Sequence, residues 1–350
     1  MEKKYRRDFL YVVPAIVFIF SCNPAGTKTA GSSVNKSLNN SKNEHFLALK
    51  STVLLPDVSG GFDLMSLDIQ GRLFVSAEDN HSLEIVDLKN QTTYKSIPNL
   101  NEPKWSFYHP EKNRIYVATD GDGKVTELDA TTFEIIKEFK FKEACNNLRY
   151  DPETRQLYVG VGKSFGALGV IDLNTDKVIN EIKLSGYLKQ FELDGKRIYA
   201  NIPGKNQVDV IDIKANSVVE TWPLKKSEEN VPMTLDPINH RLFIGCEQGK
   251  LIVLSTQTGL PVADLIISKG ADGIYLDKKR SLIYVSCGEG YINVIKQINA
   301  NHYQAVEKIK TVKGAATSFY SPLLDELFLA VSQSVNQSAA VRIYQPANQL

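Results

Sequence analysis

A short apolar run that carries one aromatic residue recurs seven times along this chain at a nearly constant interval. Successive aromatic residues are separated by 42, 42, 41, 44, 41 and 44 positions. They are Phe74, Tyr116, Tyr158, Tyr199, Phe243, Tyr284 and Phe328. A period near 40 residues built from short β-type runs is typical of propeller blades, so the repeat predicts an all-β, seven-bladed β-propeller.

Each copy of the repeat contains four short runs with the pattern of β-strands. In the third copy they are "LRYD", "LYV", "GVID" and "KVINEIKL". Apolar and polar residues alternate within the runs, and polar turn residues separate them, which indicates four antiparallel strands in each blade. Beyond the N-terminal region no stretch shows a sustained helical period, so we expect few helices.

The two ends of the repeat region complement each other. The seventh copy contains runs for only three strands, whereas "FLALKSTVLLP" precedes the first copy and belongs to no complete one. Its apolar pattern matches that of a fourth strand. We therefore predict that Phe46–Leu55 pairs with Ala340–Tyr344 and completes the last blade, which closes the ring and removes an exposed sheet edge.

The start of the chain has the composition of a targeting segment. A basic "MEKKYRR" precedes the apolar run Phe9–Ser21, which is shorter than the roughly 20 residues that cross a bilayer as a helix. Cys22 follows in "IFSC", which resembles a bacterial lipobox, where the Cys is lipidated and becomes the N-terminus. An uncleaved anchor or an ordinary signal peptide is the alternative.

We therefore expect three parts along the chain. Residues 1–22 form the lipoprotein signal peptide that ends at the lipidated Cys22. Residues 23–45 are rich in Ser, Asn, Lys and Gly with few apolar residues, which is the composition of a flexible tether. Residues 46–350 form the propeller. This organisation predicts a protein of the bacterial cell envelope, facing the periplasm or the cell surface.

The charge of the chain gives no reason to expect a nucleic acid as partner. The formal net charge is +1, and the first 22 residues hold four basic against two acidic residues, so the remainder is close to neutral. Proteins that bind nucleic acids usually carry a basic patch or stripe. We expect instead a monomer that contacts the membrane through its lipid and binds a protein or a small-molecule ligand.

One copy of the repeat carries a resemblance to a known family. The stretch "VGVGKSFGALGVIDLNTDKVINEIKL" resembles the YVTN-type repeat of YncE-like seven-bladed propellers, which has a "YV" strand, a loop, "VxVID", a Thr/Asn turn and "VVxTI". The resemblance spans Phe46–Leu350, although "VID" becomes "VLS", "VIK" and "RIY" in the last three copies. It implies the propeller fold, and it leaves the activity open because one fold hosts many functions.

The sequence contains no motif that assigns a reaction. No two of the five histidines lie within four residues of each other, and no C-x-x-C pattern is present. One G-x-S-x-G match, Gly162–Gly166, precedes a predicted strand, whereas the nucleophile elbow of a serine hydrolase leads into a helix. Metal sites and serine hydrolases depend on such groupings. We therefore name no catalytic residue, no metal site and no cofactor.

Two sets of residues are expected to pack between blades. Cys246 and Cys287 occupy equivalent positions in neighbouring copies, in a column of small and β-branched residues, and are predicted to be buried free thiols. Arg149 and Glu192 share a second column with apolar and small residues. Because an unpaired buried charge is costly, we predict that these two side chains pair across blades three and four.

The remaining candidate for function is one end of the propeller. The loops that enter each first strand and those that leave each second strand are expected to share this end, around the central channel. Loops on a rigid scaffold commonly carry binding residues, although an ordinary solvated surface is the alternative. The candidate ligand-binding residues are Asp63, Lys104, Trp105, Asn146, Asn147, Lys189, Gln190, Asn230 and Asp272.

The sequence favours a lipid-anchored binding or protein-interaction scaffold without catalysis. Two alternatives stay open. The first is a propeller hydrolase or lyase, lactonase-like, with its active site at the channel mouth. The second is a subunit that docks on a membrane complex through one face, for which an exposed apolar patch would be the sign.

Overall fold

The computed structural model describes residues 45–225 and 229–347, and in these residues the chain is an all-β, seven-bladed propeller. Its 28 strands form seven four-stranded sheets, and the described part contains one turn of 3-10 helix at Pro203–Lys205 and no α-helix. The described residues all belong to one compact unit. The predicted signal peptide, Cys22 and almost all of the predicted tether lie outside the described residues.

The strands follow one another in sequence as the repeat predicts. Closing strand and blades 1 to 3 consist of β1 (Leu47–Leu55), β2 (Met65–Leu67), β3 (Arg72–Ala77), β4 (Ser82–Asp87), β5 (Thr92–Ile97), β6 (Pro103–His109), β7 (Arg114–Thr119), β8 (Lys124–Asp129), β9 (Ile135–Lys140), β10 (Cys145–Asp151), β11 (Gln156–Val161), β12 (Ala167–Asp172) and β13 (Lys177–Lys183). Blades 4 to 7 consist of β14 (Phe191–Asp194), β15 (Arg197–Ile202), β16 (Gln207–Asp212), β17 (Ser217–Pro223), β18 (Asn230–Asp236), β19 (Arg241–Cys246), β20 (Lys250–Ser255), β21 (Pro261–Ile266), β22 (Ala271–Asp277), β23 (Leu282–Cys287), β24 (Tyr291–Asn299), β25 (His302–Lys310), β26 (Ser318–Ser321), β27 (Glu326–Val331) and β28 (Ala339–Pro346).

The repeated aromatic residue explains why the sequence keeps its period. It lies in the second strand of each blade, and all seven side chains are at most 2% exposed. Each packs into the core shared with the following blade: Phe74 with Ile115 and Val117, for example, and Phe328 with Leu73. One large apolar ring per blade therefore fills each inter-blade space, and its burial contributes about 2–3 kcal/mol.

The predicted ring closure is confirmed. Strand β1 pairs antiparallel with β28 from Leu47 opposite Pro346 to Leu55 opposite Ala339, so blade 7 combines both ends of the repeat region. Phe46 lies immediately before the strand, and its backbone N–H donates to Glu307 Oε2 at 2.8 Å. β1 adds an outer fourth strand to β26, β27 and β28, so blade 7 has four strands like every other blade.

Both predicted inter-blade contacts are also confirmed. Arg149 Nη2 donates to Glu192 Oε1 at 2.9 Å, which joins β10 of blade 3 to β14 of blade 4. Cys145, Cys246 and Cys287 are buried in the cores between blades, and none of the three forms a disulfide. Desolvation raises the pKa of Cys145 well above its usual range, so this thiol stays protonated and behaves as a small apolar side chain.

Candidate functional site

The two predicted sets of loops do lie together at one end of the propeller, which we call the loop face. In five of the blades a backbone N–H of one set and a carbonyl of the other form a hydrogen bond. These bonds join Asp120 to Glu102, Gly162 to Ala144, Lys189 to Asn201, Glu247 to Glu229 and Gly288 to Gly270, at 2.7–3.1 Å. Both loop sets are thereby fixed to the rigid sheets on which they are carried.

Strand register defines one equivalent position per blade at this end of the channel. It lies three residues before the first-strand residue that pairs with the repeated aromatic. We call the seven residues at this position the mouth ring: Asp63, Lys104, Asn146, Lys189, Val231, Asp272 and Ala316. Two acidic and two basic residues therefore face a common channel from four different blades, and five of the nine predicted site residues belong to this ring.

Lys104 connects blades 1 and 2 at the mouth through two carboxylates. Its Nζ lies 3.3 Å from Asp63 Oδ2 and also contacts Glu78 Oε1. The Lys104 side chain is only 12% exposed. Burial alone would lower the pKa of Lys104, yet the charges of Asp63 and Glu78 raise it above its usual value, so Lys104 remains a cation.

Asp63 is a strongly perturbed carboxyl group of the mouth. Desolvation raises its pKa to about 7, against the opposing charge of Lys104, and the negative charges of Asp272 and Glu78 act in the same direction as desolvation. Its backbone N–H donates to Ser76 O at 2.8 Å, and its Oδ1 accepts from Leu64 N at 2.9 Å. Asp63 is therefore held in place and exchanges a proton near neutral pH.

Asp272 lies in blade 6 and is close enough to influence Asp63 across the channel. Desolvation raises its pKa, while Lys189 and the hydroxyl of Thr317, which donates to Asp272 Oδ2 at 3.3 Å, lower it. Thr317 Oγ1 also lies 3.2 Å from Phe62 O, an alternative acceptor for the same proton, so this hydroxyl lies where blades 6, 7 and 1 meet. The carboxyl group is positioned by the closed ring itself.

A further pair of carboxyl groups lies beside Lys189. Desolvation raises the pKa of Glu247, and the neighbouring Glu229 raises it further, whereas Lys189 lowers it. Lys189 Nζ also lies 5.7 Å from the centroid of the Tyr187 ring. The charge around the mouth is thus dominated by carboxyl groups, since Asp63, Glu78 and Asp272 accompany this pair.

Trp105 lies just below the ring, is half-buried, and has one face of its indole covered by Arg149. The Arg149 guanidinium is 4.1 Å from the centroid of the Trp105 ring, within the range of a cation–π contact. Arg149 is itself paired with Glu192. The three side chains form a stack across blades 2, 3 and 4, so Trp105 supports the channel wall.

Asn146 and Asn147 link blade 3 to blade 4. Asn146 Nδ2 donates to the Tyr187 hydroxyl at 2.9 Å, and Asn147 Nδ2 donates to Asn146 Oδ1 at 2.7 Å and to the carbonyl of Lys189. Asn147 is 2% exposed, and its Oδ1 has no partner. The amide orientation is fixed, because the reverse orientation would place its oxygen against two other acceptors.

The last two predicted site residues connect blade 5 to blade 4. Gln190 Oε1 accepts from Met233 N at 3.2 Å, and Asn230 Nδ2 donates to Asn201 Oδ1 at 2.8 Å and to Gln207 O at 3.1 Å. Both are more than 90% buried. The structure places them behind the mouth, where they hold neighbouring blades together.

The loop "GVGKS" (Gly160–Ser164), at the same end of the propeller, forms a second charged contact. Glu143 accepts from the backbone N–H groups of Lys163 and Ser164 at 2.7 and 2.9 Å, and these bonds lower its pKa to about 2. Lys163 Nζ lies 2.6 Å from Asp120 Oδ2. Because Lys163 is 57% exposed and Asp120 is buried, the lysine covers a carboxylate beside the mouth.

Other features of the described residues do not add a second site of this kind. No group of three or more His, Cys, Asp or Glu side chains in residues 45–225 and 229–347 is placed to hold a metal ion. No helix of the described part is long and apolar enough to cross a membrane. A groove of about 570 Å³ at the opposite end lies between blades 1 and 2, but Arg72 at its base is paired with Asp68 and Ala130 O.

Comparison with known proteins identifies the fold alone. No protein-family model matches the chain, and no curated protein matches its sequence. Many solved structures resemble it, among them hydrazine synthase from Kuenenia stuttgartiensis, with a TM-score of 0.70 and 20% sequence identity. That match covers 84% of this chain and 98% of the other. At this identity the similarity supports the propeller architecture and carries no function across.

Sequence reasoning did not single out Tyr187 as part of the site. In the aligned loops its position holds Gly61, Glu102, Ala144, Glu229, Gly270 and Gly314 in the other blades. Tyr187 is therefore the only aromatic residue of this column, and comparison of the seven loops would have identified it. Its contacts with Asn146 and Lys189 make it a neighbour of two mouth-ring residues.

Proposed function

We propose that this protein is a lipid-anchored propeller of the bacterial cell envelope that binds a protein or a small-molecule ligand at its loop face without catalysing a reaction. The observation that carries the proposal is the mouth ring, in which charged side chains from four blades converge on one channel. Such a surface offers charge complementarity on a rigid frame, which is the usual basis of specific recognition.

The proposed anchoring rests on the N-terminal sequence. A basic segment, a short apolar run and Cys22 match the order of parts in a lipoprotein signal. The polar segment 23–45 would then act as a tether that holds the propeller away from the membrane. The YVTN-type pattern of the repeat supports a place among the YncE-like propellers, and we propose that the protein is monomeric and does not bind nucleic acid.

Photo-crosslinking in intact cells tests which end of the propeller is used. A photoreactive amino acid replaces the exposed Lys269, which lies in the loop before β22, or the exposed Lys278, which lies in the turn at the opposite end of the same strand. The proposal predicts a defined crosslinked product from position 269 and none from position 278. Products from position 278 alone would overturn it.

A hydrolase or lyase is the second candidate, and Asp63 is the observation that favours it. A carboxyl group with a pKa of about 7 is suited to accept or donate a proton at neutral pH. Lys104, 3.3 Å away, would stabilise a negative charge that develops beside it. The test is turnover of lactone or ester probes by the wild type and by Asp63→Asn, which should lose activity if Asp63 is the acid or base.

A further inference from the structure

Three buried acceptor oxygens at the loop face lack a hydrogen-bond partner. Of the eight buried side-chain atoms without a partner in the described residues, five belong to hydroxyl groups, which rotate to suit their surroundings. The other three are Asp120 Oδ1, Asn147 Oδ1 and Asn230 Oδ1. All three can only accept, and all three lie at one end of the molecule. A buried acceptor left unpaired costs about 1–3 kcal/mol, so this end of the channel requires hydrogen-bond donors.

The orphan oxygens adjoin the charged residues of the mouth. Asn147 Nδ2 donates to two mouth-ring residues, Asn146 and Lys189. These bonds fix the orientation of the amide, and its Oδ1 has no hydrogen-bond partner. Asp120 is close enough to Lys104 to influence its pKa, and only its other oxygen is bound, by Lys163. Two of the three orphan acceptor oxygens, those of Asp120 and Asn147, therefore adjoin the mouth ring.

Carboxyl groups outnumber basic side chains around the mouth ring. Five carboxyl groups, those of Asp63, Glu78, Glu229, Glu247 and Asp272, influence one another across the mouth. Lys104 and Lys189 oppose them there, whereas Lys163 beside the mouth is paired with Asp120 and Arg149 deeper in the channel is paired with Glu192. No group of three or more His, Cys, Asp or Glu side chains in the described residues is placed to hold a metal ion. An organic cation would bring a positive charge and N–H donors together to these carboxyl groups.

We propose that the mouth ring binds a ligand through an alkylammonium group, held by the carboxylates of Asp63 and Asp272 with the Asn147 carbonyl as an additional acceptor. An ammonium group supplies three N–H donors and one positive charge, which are what the orphan oxygens and the surplus carboxylates lack. This inference rests on the proposed binding function and names the chemistry of its ligand. A free amine and a lysine side chain present the same group.

Binding should depend on pH in a defined direction. Asp63 faces Lys104, Glu78 and Asp272, and its pKa of about 7 means that it is largely protonated at pH 6 and ionised at pH 8. An alkylamine keeps its proton over this range, because its pKa is about 10. Affinity for the ammonium group therefore rises between pH 6 and pH 8.

Isothermal titration of the full chain in mild detergent tests the proposal with two sources of the group. The probes are 1,4-diaminobutane and N-acetyl-lysine methylamide, and 1,4-butanediol is the neutral control. We expect at least one ammonium probe to bind and the diol not to bind. Binding of diaminobutane alone would identify a small amine as the source, and binding of the lysine derivative alone would identify a protein side chain.

Matched variants locate the site. Asp272→Asn should weaken binding at least tenfold, whereas Glu153→Gln, which removes one exposed carboxylate at the opposite end, should leave it unchanged. Thermal unfolding verifies that both variants fold. Failure of both probes to bind, or equal binding by the wild type and Asp272→Asn, would overturn the ammonium assignment. Crosslinks from position 269 would still support the proposed function in that case.

Discussion

The closing strand offers the sharpest comparison between neighbouring residues. Leu55 in β1 is 1% exposed and lies in the core that joins blades 7 and 1, whereas Leu54 beside it is 57% exposed. Replacing a buried leucine by alanine typically costs 2–5 kcal/mol, so Leu55→Ala should lower the free energy of unfolding by about 3 kcal/mol. Leu54→Ala should change it by less than about 0.5 kcal/mol.

Urea unfolding followed by the fluorescence of Trp105 and Trp222 measures both changes. A deletion pair extends the comparison to the whole segment: removal of residues 46–55 should abolish soluble expression or lower the melting temperature sharply, while removal of residues 23–44 should have almost no effect. Equal midpoints for the two leucine variants, or equal melting of the two deletions, would refute a closing strand that stabilises the ring.

Three further predictions concern the ion pair, the mouth and the N-terminus. Arg149→Met should destabilise the protein by about 2 kcal/mol in urea unfolding because Glu192 is left unpaired, and adding Glu192→Leu should restore most of the loss. Folded Asp63 keeps its proton up to about pH 7, whereas the unfolded chain loses it near pH 4. The wild type should therefore lose about 1–3 kcal/mol relative to Asp63→Asn as the pH rises from 5 to 8, and a flat difference would contradict this. Cys22→Ala should move the protein from the membrane to the soluble fraction, and an intact Met1 in mass spectrometry of the wild type would oppose lipidation.

The architecture was predictable because its determinants repeat. The aromatic residue of the second strand must fill the same inter-blade space seven times, so its spacing in sequence shows both the strand order and the number of blades. The pairing of Arg149 with Glu192 followed from one aligned column in two adjacent copies, since a buried charge needs a partner. The unpaired strands at the two ends of the repeat region indicated how the ring closes.

The site was predictable only in outline. Alignment of the loops locates Asp63, Lys104, Lys189 and Asp272 at one end, but it does not show which side chains stay open. Trp105 is covered by Arg149, and Gln190 bonds to the next blade. Such contacts depend on the direction of each side chain across an inter-blade space, and a single blade's sequence does not contain this information.

Hydrogen exchange of the full chain, with and without an extract of the cell envelope, tests whether the loop face is the binding surface. We predict slower amide exchange in the extract for the loop-face segments 59–64, 101–105, 185–190 and 267–272. The opposite-end turns 69–71, 110–113 and 278–281 should exchange at unchanged rates. Protection confined to those turns, or protection of neither end, would show that the loop face is not the binding surface.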